Sequence, residues 1–260
     1  MLMKITFFRL IVFSAIVLLA FPLAGQINKR DEQGRRQGPW QGTFPSGRIR
    51  YQGQFENDNP TGTFKYFYND GALRAELTHT LGKDTVPAVY FHRNRQKLAQ
   101  GQFVTNQREG LWVFFSERGE RLSETWYKNG LQHGKTTTYF PNGPIAETVD
   151  YVDGEKHGQW IQYFEDGTFR LNALYEKNNL NGQFKLFHEN GKPLLTAYYN
   201  NNLPHQHWTF YTAEGEVERE IFYQNGLIVE EKIHIEREIE ITIPLKPSAG
   251  RTEDIFSSPY

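Results

Sequence analysis

Eight histidines and thirty acidic side chains are the groups in this chain with the widest chemical scope. Three of the histidines, His133, His157 and His205, fall on multiples of a 24-residue spacing. If each interval folds as two strands, equivalent residues stand about 9.6 Å apart, twice the usual strand separation. Two imidazoles sharing a zinc ion at about 2.1 Å each cannot bridge that distance, so the trio reads as structural. His205 and His207, two apart, can face one way on a strand, yet no third or fourth ligand accompanies them. Glu165, Asp166, Glu189 and Glu214 recur at polar turn positions, where carboxyls are solvated alike. Acid and base roles instead require two carboxyls in contrasting environments. The glycines follow turn spacing and form no phosphate-cradling loop ahead of a helix. The absence of cysteine excludes disulfides, thiolate zinc sites, iron–sulfur clusters and cysteine nucleophiles. A non-enzymatic chain without cofactor or metal is the expectation.

Aromatic rings are what the chain carries in excess. Five Trp, 14 Tyr and 20 Phe make 15% of 260 residues, while mean hydropathy stays at −0.65. Rings at that density in so hydrophilic a chain must sit on structures that keep much polar surface. The 38% apolar share lies within the range of folded proteins. With 29 basic and 30 acidic residues the net charge is −1, too weak a field to gather nucleic acid or an anionic membrane. No nucleic-acid partner is expected.

A repeat sets the spacing of the rings. Gly38-Pro-Trp40, Gly62-Thr-Phe64, Gly110-Leu-Trp112, Gly134-Lys-Thr136, Gly158-Gln-Trp160 and Gly182-Gln-Phe184 align, and Gln206-His-Trp208 continues the series. Residues 38–229 divide into eight units of 24 with no insertion or deletion. The tenth position is glycine in seven of them, from Gly47 to Gly215, with Arg95 the exception, and Asn or Asp often precedes it. Such pairs take the positive φ angles of tight hairpin turns. A second turn closes each unit at Asn129-Gly130, Asp153-Gly154 and Asn225-Gly226. The predicted fold is all-β: an elongated single-layer antiparallel β-meander of eight 24-residue hairpins, on the order of 77 Å long.

Position eighteen reads Phe55, His79, Phe103, Tyr127, Tyr151, Tyr175, Tyr199, Tyr223, and position three supplies Trp40, Phe64, Trp112, Trp160, Phe184 and Trp208. Position six is aromatic from Phe67 to Tyr211. Small residues such as Gly53, Ala75, Ala99, Gly101, Ser123, Ala173 and Ala197 share the face of position eighteen, which lets rings lie over the neighbouring strand. The columns admit two readings. Either the rings pack on one another, or part of a column stays open as a groove for an extended peptide, a glycan or a partner sheet. On the second reading the candidate binding residues are Trp112, Trp160, Trp208, Tyr127, Tyr151, Tyr175, Tyr199 and Tyr223, in the clearer copies at 110–229.

The pattern Gly-x-Trp-x-x-Tyr/Phe-x-x-(Asn/Asp)-Gly, then an apolar residue, an aromatic and Asn-Gly-x-x-x-Gly, resembles the MORN repeat in its bacterial variant form. The clearest copies are Gly110 to His133 and Gly158 to Asn181. The resemblance covers about three quarters of the chain and implies an adaptor-like binding module; some relatives of the variant are labelled antitoxins. The third copy, 86–109, lacks the opening Gly, the Trp and the turn Gly. It reads either as drift held in place by its neighbours or as a functional bulge.

Beyond the repeats, residues 1–25 carry Lys4 and Arg9 ahead of an apolar run from Leu10 to Phe21. This reads as a signal peptide cleaved after Ala24 or Gly25, with an uncleaved anchor as the alternative. Cleavage leaves 27 basic against 30 acidic residues and no integral membrane span. Residues 26–37 form a lead-in, the alternating Ile segment within 230–245 reads as capping strands, and 246–260 as a flexible tail. The expected protein is an exported, non-catalytic interaction scaffold, periplasmic, outer-membrane-associated or extracellular, with a protein or glycan as partner. A carbohydrate- or peptidoglycan-binding module and a toxin-neutralising partner are the alternatives.

Overall fold

The computed structural model describes residues 26–236. The leader read at 1–25, the tail at 246–260 and positions 237–245 of the capping segment lie outside the described residues.

Two strands arise from each 24-residue unit. They are β1 (Gly38–Thr43), β2 (Ile49–Glu56), β3 (Asn59–Phe67), β4 (Leu73–His79), β5 (Thr85–Phe91), β6 (Lys97–Val104), β7 (Gln107–Phe115), β8 (Arg121–Lys128) and β9 (Leu131–Tyr139). There follow β10 (Ile145–Val152), β11 (Glu155–Tyr163), β12 (Phe169–Glu176), β13 (Asn179–Phe187), β14 (Pro193–Asn200), β15 (Leu203–Tyr211), β16 (Val217–Gln224) and β17 (Leu227–Ile233). Every strand pairs antiparallel with the next in sequence, giving one open 17-stranded sheet. The described residues contain no helix, and none long and apolar enough to cross a membrane.

The two turns of a unit differ in chemistry. At Asn129-Gly130, Asp153-Gly154, Lys177-Asn178 and Asn201-Asn202 both residues have positive φ, as a two-residue type I′ hairpin demands. At the other turn only the glycine does. Gly167, at φ +86°, donates to the Phe164 carbonyl at 2.9 Å, and Phe164 N–H to the Thr168 carbonyl at 2.9 Å. This is a longer loop in which one left-handed residue forms a bulge. The preceding Asp or Asn is there for another reason. Asp166 Oδ1 accepts the Thr168 N–H at 2.9 Å, and Asn190 Oδ1 the Lys192 N–H at 3.0 Å, bonds that close the turn locally. The expectation of positive φ at both residues of these Asn-Gly and Asp-Gly pairs therefore holds only for the second turn.

The opening glycine of a unit lies within a strand, not at a turn. Gly182 on β13 has φ +98°, and the ladder to β12 slips from Ala173↔Phe184 to Tyr175↔Leu180 across it. Such a bulge bends the strand. Hydrogen bonds also tie each hairpin to the next at both ends. His188 Nε2 lies 3.1 Å from the Tyr211 carbonyl and His92 Nε2 2.9 Å from that of Phe115. At the opposite end Asn202 Oδ1 accepts the Leu180 N–H at 2.7 Å, while the Asn202 N–H donates to the Leu180 carbonyl at 2.9 Å. These bonds link residues 22 or 23 apart, so the unit length is enforced by chemistry at the two rims.

One face of the sheet is dry. Two clusters of buried side chains lie along it, one from Phe55 to Tyr127 and one from Val149 to Ile221. Between them the fifth unit opens on Thr136 in place of a ring, and a polar row crosses four strands through Ser123↔Thr138, Thr138↔Glu147 and Glu147↔Gln162. Glu147 is buried, and its Oε1 accepts both the Trp160 indole N–H and the Gln162 amide at 2.8 Å. A buried carboxylate needs such partners. The core is thus two apolar stretches joined by a hydrogen-bonded seam.

The first edge is covered by the lead-in. Asn28 bonds to both backbone groups of Gln41, and Arg36 lies 3.8 Å over the Phe55 ring. At the other end β17 is exposed along its length and carries Glu230, Glu231 and Lys232, charges that suit an edge strand. Leu227–Val229, counted above with the eighth unit, belong to that same strand.

Arg95 holds φ +70° where the equivalent residues are glycine. A left-handed backbone costs an ordinary residue about 1–2 kcal/mol, part of which glycine loses again through its looser unfolded chain. Arg95→Gly is therefore expected to stabilise by about 0.5–1 kcal/mol, and Gly167→Ala to destabilise by about 1 kcal/mol. Paired melting curves check both signs.

Candidate binding surface

The columns singled out above form the core. Trp112 and Trp160 are 0% exposed, Trp208 5%, Tyr127 4%, and Tyr175 and Tyr199 5% each; Tyr151 and Tyr223 pack half-buried against the second cluster. The cause is the small residue facing each ring. A Cβ on Gly101 would stand 2.4 Å from the Trp112 indole, and one on Gly53 2.5 Å from the Phe64 ring. On that base the rings lean on one another, with Tyr199 5.1 Å from Trp208 and Trp208 5.0 Å from Tyr223. Their polar atoms are occupied as well. Trp112 Nε1 donates to the Gln102 carbonyl at 3.1 Å and Trp208 Nε1 to that of Tyr198 at 3.0 Å. Tyr127 Oη accepts from Arg108 at 2.8 Å. Six of the eight residues proposed from sequence thus offer a ligand almost no area, and of the two readings of the columns the burial favours packing.

Burial also fixes their ionisation. It pushes Tyr175 up to about 12, with the nearby Glu147 adding to the effect, and Tyr199 likewise to about 12 with Tyr223 adding.

The opposite face presents a different column. Position seventeen alternates with the buried sixteen and eighteen, and so points outward. It holds Trp126 on β8, Asp150 on β10, Leu174 on β12, Tyr198 on β14 and Phe222 on β16. Trp126 is 49% exposed, Leu174 40% and Tyr198 39%, while Phe222 is half-buried with its ring centroid 4.8 Å from that of His207, tilted beside it. Each is paired across the ladder with position two: Leu111↔Trp126, Gln159↔Leu174, Gln183↔Tyr198, His207↔Phe222. In the fifth unit the pair is a salt bridge, Lys135 Nζ to Asp150 Oδ1 at 2.8 Å. The bulge glycine beneath makes room for the outer side chain, since a Cβ on Gly182 would reach Leu174 at 3.4 Å and one on Gly134 Trp126 at 3.5 Å. The result is an apolar and amide-lined lane that runs across the strands from the sixth unit to the eighth, with Trp126 as an outlier upstream.

Sequence inspection passed over this lane because position seventeen is Gln54, Thr78 and Gln102 in the early units and so forms no column. The signal was present as parity. A large apolar residue between two inward neighbours must lie on the wet face.

Other chemical groups are dispersed. Among the described residues no three of His, Asp and Glu converge as a metal site would require. His205 and His207 are separated by a bulge at Gln206, whose φ is +57°. His133 Nδ1 lies 3.2 Å from Asp153 at a turn. Asp166 is held below the usual carboxylate range by its bonds from Thr168, as a turn-closing acceptor is.

A family model described as the MORN repeat variant matches residues 60–80, 132–153 and 180–201. The chain carries MORN-variant repeats. All three MORN-variant matches begin two residues before an opening glycine, Gly62, Gly134 and Gly182, in the phase that the strands follow. Comparison with curated proteins gives no match. Among solved structures, a mutant of S. aureus TarM in complex with fondaparinux, α-GlcNAc-glycerol and UDP is 15% identical over 37% of this chain and 19% of its own, with a TM-score of 0.29. A second TarM structure is 16% identical over 39% and 20%, at 0.29. The chain therefore spans about a fifth of the length of the TarM chains. A TcdB2-TccC3-Cdc42 structure is 11% identical over 77% of this chain and 13% of its own, at 0.20. At these TM-scores the likenesses carry no argument.

The buried phenols yield a pH prediction. In the unfolded chain tyrosine ionises near 10, whereas Tyr175 and Tyr199 resist to about 12. The stability they contribute is complete below pH 10 and is lost as pH rises towards 12. Spectrophotometric titration is expected to show both ionising together with loss of the β signal, and Tyr175→Phe to raise the alkaline unfolding midpoint. Ionisation of all tyrosines near pH 10 in a folded protein contradicts the burial.

Proposed function

We propose that this MORN-variant protein is an exported, non-catalytic interaction scaffold of the cell envelope or extracellular space, and that it binds through the outer lane of its last three units. The observation that carries the reading is the run of Leu174, Tyr198 and Phe222 at unit spacing on the outer face. Exposed apolar groups in a row mark interaction surfaces, and these three are held on strands paired on both sides, which makes the surface rigid before a partner arrives. The inner rings stabilise the platform and the outer lane meets the ligand. Export is supported by the composition of residues 1–25. The open sheet gives a partner several weak contacts along its length, so affinity is spread over successive units.

The test compares the chain lacking residues 1–25 with a Leu174→Ser, Tyr198→Ser, Phe222→Ser variant, each shown by melting to be folded, in capture from envelope extract. The variant is expected to retain less than about a tenth of the captured material, since each lost apolar contact removes roughly 1 kcal/mol or more. Equal capture by the folded variant sinks the lane as the site. Co-purification of a small exported effector that survives the triple change favours instead the toxin-neutralising reading. N-terminal sequencing of the exported protein is expected to begin at Gly25 or Gln26; an intact Met1 contradicts cleavage.

A further inference from the structure

The outer lane also restricts the chemistry of what it can hold; this step rests on the scaffold reading above. The strands beneath Leu174, Tyr198 and Phe222 are each hydrogen-bonded on both sides, β12 to β11 and β13, β14 to β13 and β15, β16 to β15 and β17. Their backbone groups are committed. An extended peptide laid across this face finds no ladder to join, and its own N–H and C=O groups go unpaired. A ligand whose polar groups are hydroxyls and whose flat surfaces are C–H faces meets no such penalty. Hydroxyls bond to side chains in many directions, and the C–H faces stack on rings.

Suitable side chains stand between the apolar ones. The amides of Gln159 and Gln183 lie in the same lane, paired with Leu174 and Tyr198, and form no side-chain hydrogen bond among the described residues. The adjoining row on this face holds Asn172↔Lys185 and Thr196↔Thr209. Charge is mixed and forms no row of one sign: Lys185 stands beside Asn172, Glu230 opposite Phe222 and Lys232 opposite Glu220, itself 2.9 Å from His234. A polyanion would need a row of cations here, and a polycation a row of carboxylates.

Spacing narrows the class further. Equivalent residues in successive units lie about 9.6 Å apart, close to the length of one disaccharide in an extended β-linked chain. Each unit also turns by about 40–50°, two strands' worth of sheet twist, which glycosidic torsions can follow. The geometry points to a neutral β-linked glycan as the ligand, lying across the strands with alternate sugars packed against Leu174 and stacked on Tyr198 and Phe222, and hydroxyls bonded to Gln159 and Gln183. The surface is open at both ends, so it grips the interior of a chain and not a terminus.

Titration calorimetry on the chain lacking residues 1–25 tests this, with β-linked N-acetylglucosamine oligomers of two, four and six sugars and with the glucose hexamer. Affinity is expected to rise with length and to be at least about tenfold higher for a hexamer than for the dimer, as contacts in successive units are added. Tyr198→Ala and Phe222→Ala should each weaken the hexamer about fivefold, the loss typical of one stacking contact. Leu174→Trp, at an exposed site with no packing role, should tighten it. Failure of both hexamers to bind overturns the glycan assignment. If the triple variant nevertheless loses its captured partner in the extract experiment, the scaffold reading stands and the ligand is a protein. Hexamer binding that is unchanged in a folded Tyr198→Ala, Phe222→Ala variant overturns the site, and affinity independent of oligomer length overturns the spread-contact geometry.

Discussion

Most hairpins depend on a ring from one unit lying flat over a residue too small to resist it in a neighbouring strand. Phe64 covers Gly53 and Trp112 covers Gly101 at distances that leave no room for a side chain; Phe184 faces Ala173 in the ladder. A single sheet has no second layer to bury its apolar face, so the cover must come from neighbouring rings. That requirement fixes the unit length, because the ring must arrive at the same phase each time, and the rim bonds between residues 22 or 23 apart hold the same phase from the ends. The stability of such an array is a sum over neighbours, which lets one copy drift. The third unit keeps Ala88, Tyr90 and Ala99 buried while losing its opening glycine and carrying strain at Arg95.

The same constraint divides the labour of the two faces. Inner positions three, fourteen, sixteen and eighteen are bound by packing. Outer positions two and seventeen are free to change, provided that the bulge glycine below leaves space. Variation there is what gives one end of the sheet a lane of Leu174, Tyr198 and Phe222 and the other end Gln54, Thr78 and Gln102. A break in the inner face is more costly. Where Thr136 stands for a ring, the fifth unit compensates with Glu147, which turns the Trp160 indole N–H away from the carbonyl that its counterparts in Trp112 and Trp208 use.

Much of this was legible in the sequence. The period, the hairpins and the small-beside-aromatic face follow from residue types and phase alone, because turn glycines and ring columns recur without insertion. The wet side of the sheet was not legible, since period two separates two faces without saying which one is solvated, and the most regular column, Tyr127 to Tyr223, stayed open between packing and binding although regularity is what a core imposes. Gly182 and its equivalents looked like turn residues because positive φ serves a bulge as well as a hairpin. The interruption at Thr136 was visible but isolated, and its partner Glu147 lies in a different strand, so only the ladder joins them.

The division of faces is tested most directly by the reactivity of the tryptophans in the native protein. Oxidative footprinting read by mass spectrometry measures each indole separately. Trp126, 49% exposed, should react first, while Trp112 and Trp160, fully covered, should stay protected until the sheet melts. Reaction of Trp112 or Trp160 at the rate of Trp126 in the folded protein would place the inner columns in water and contradict the account.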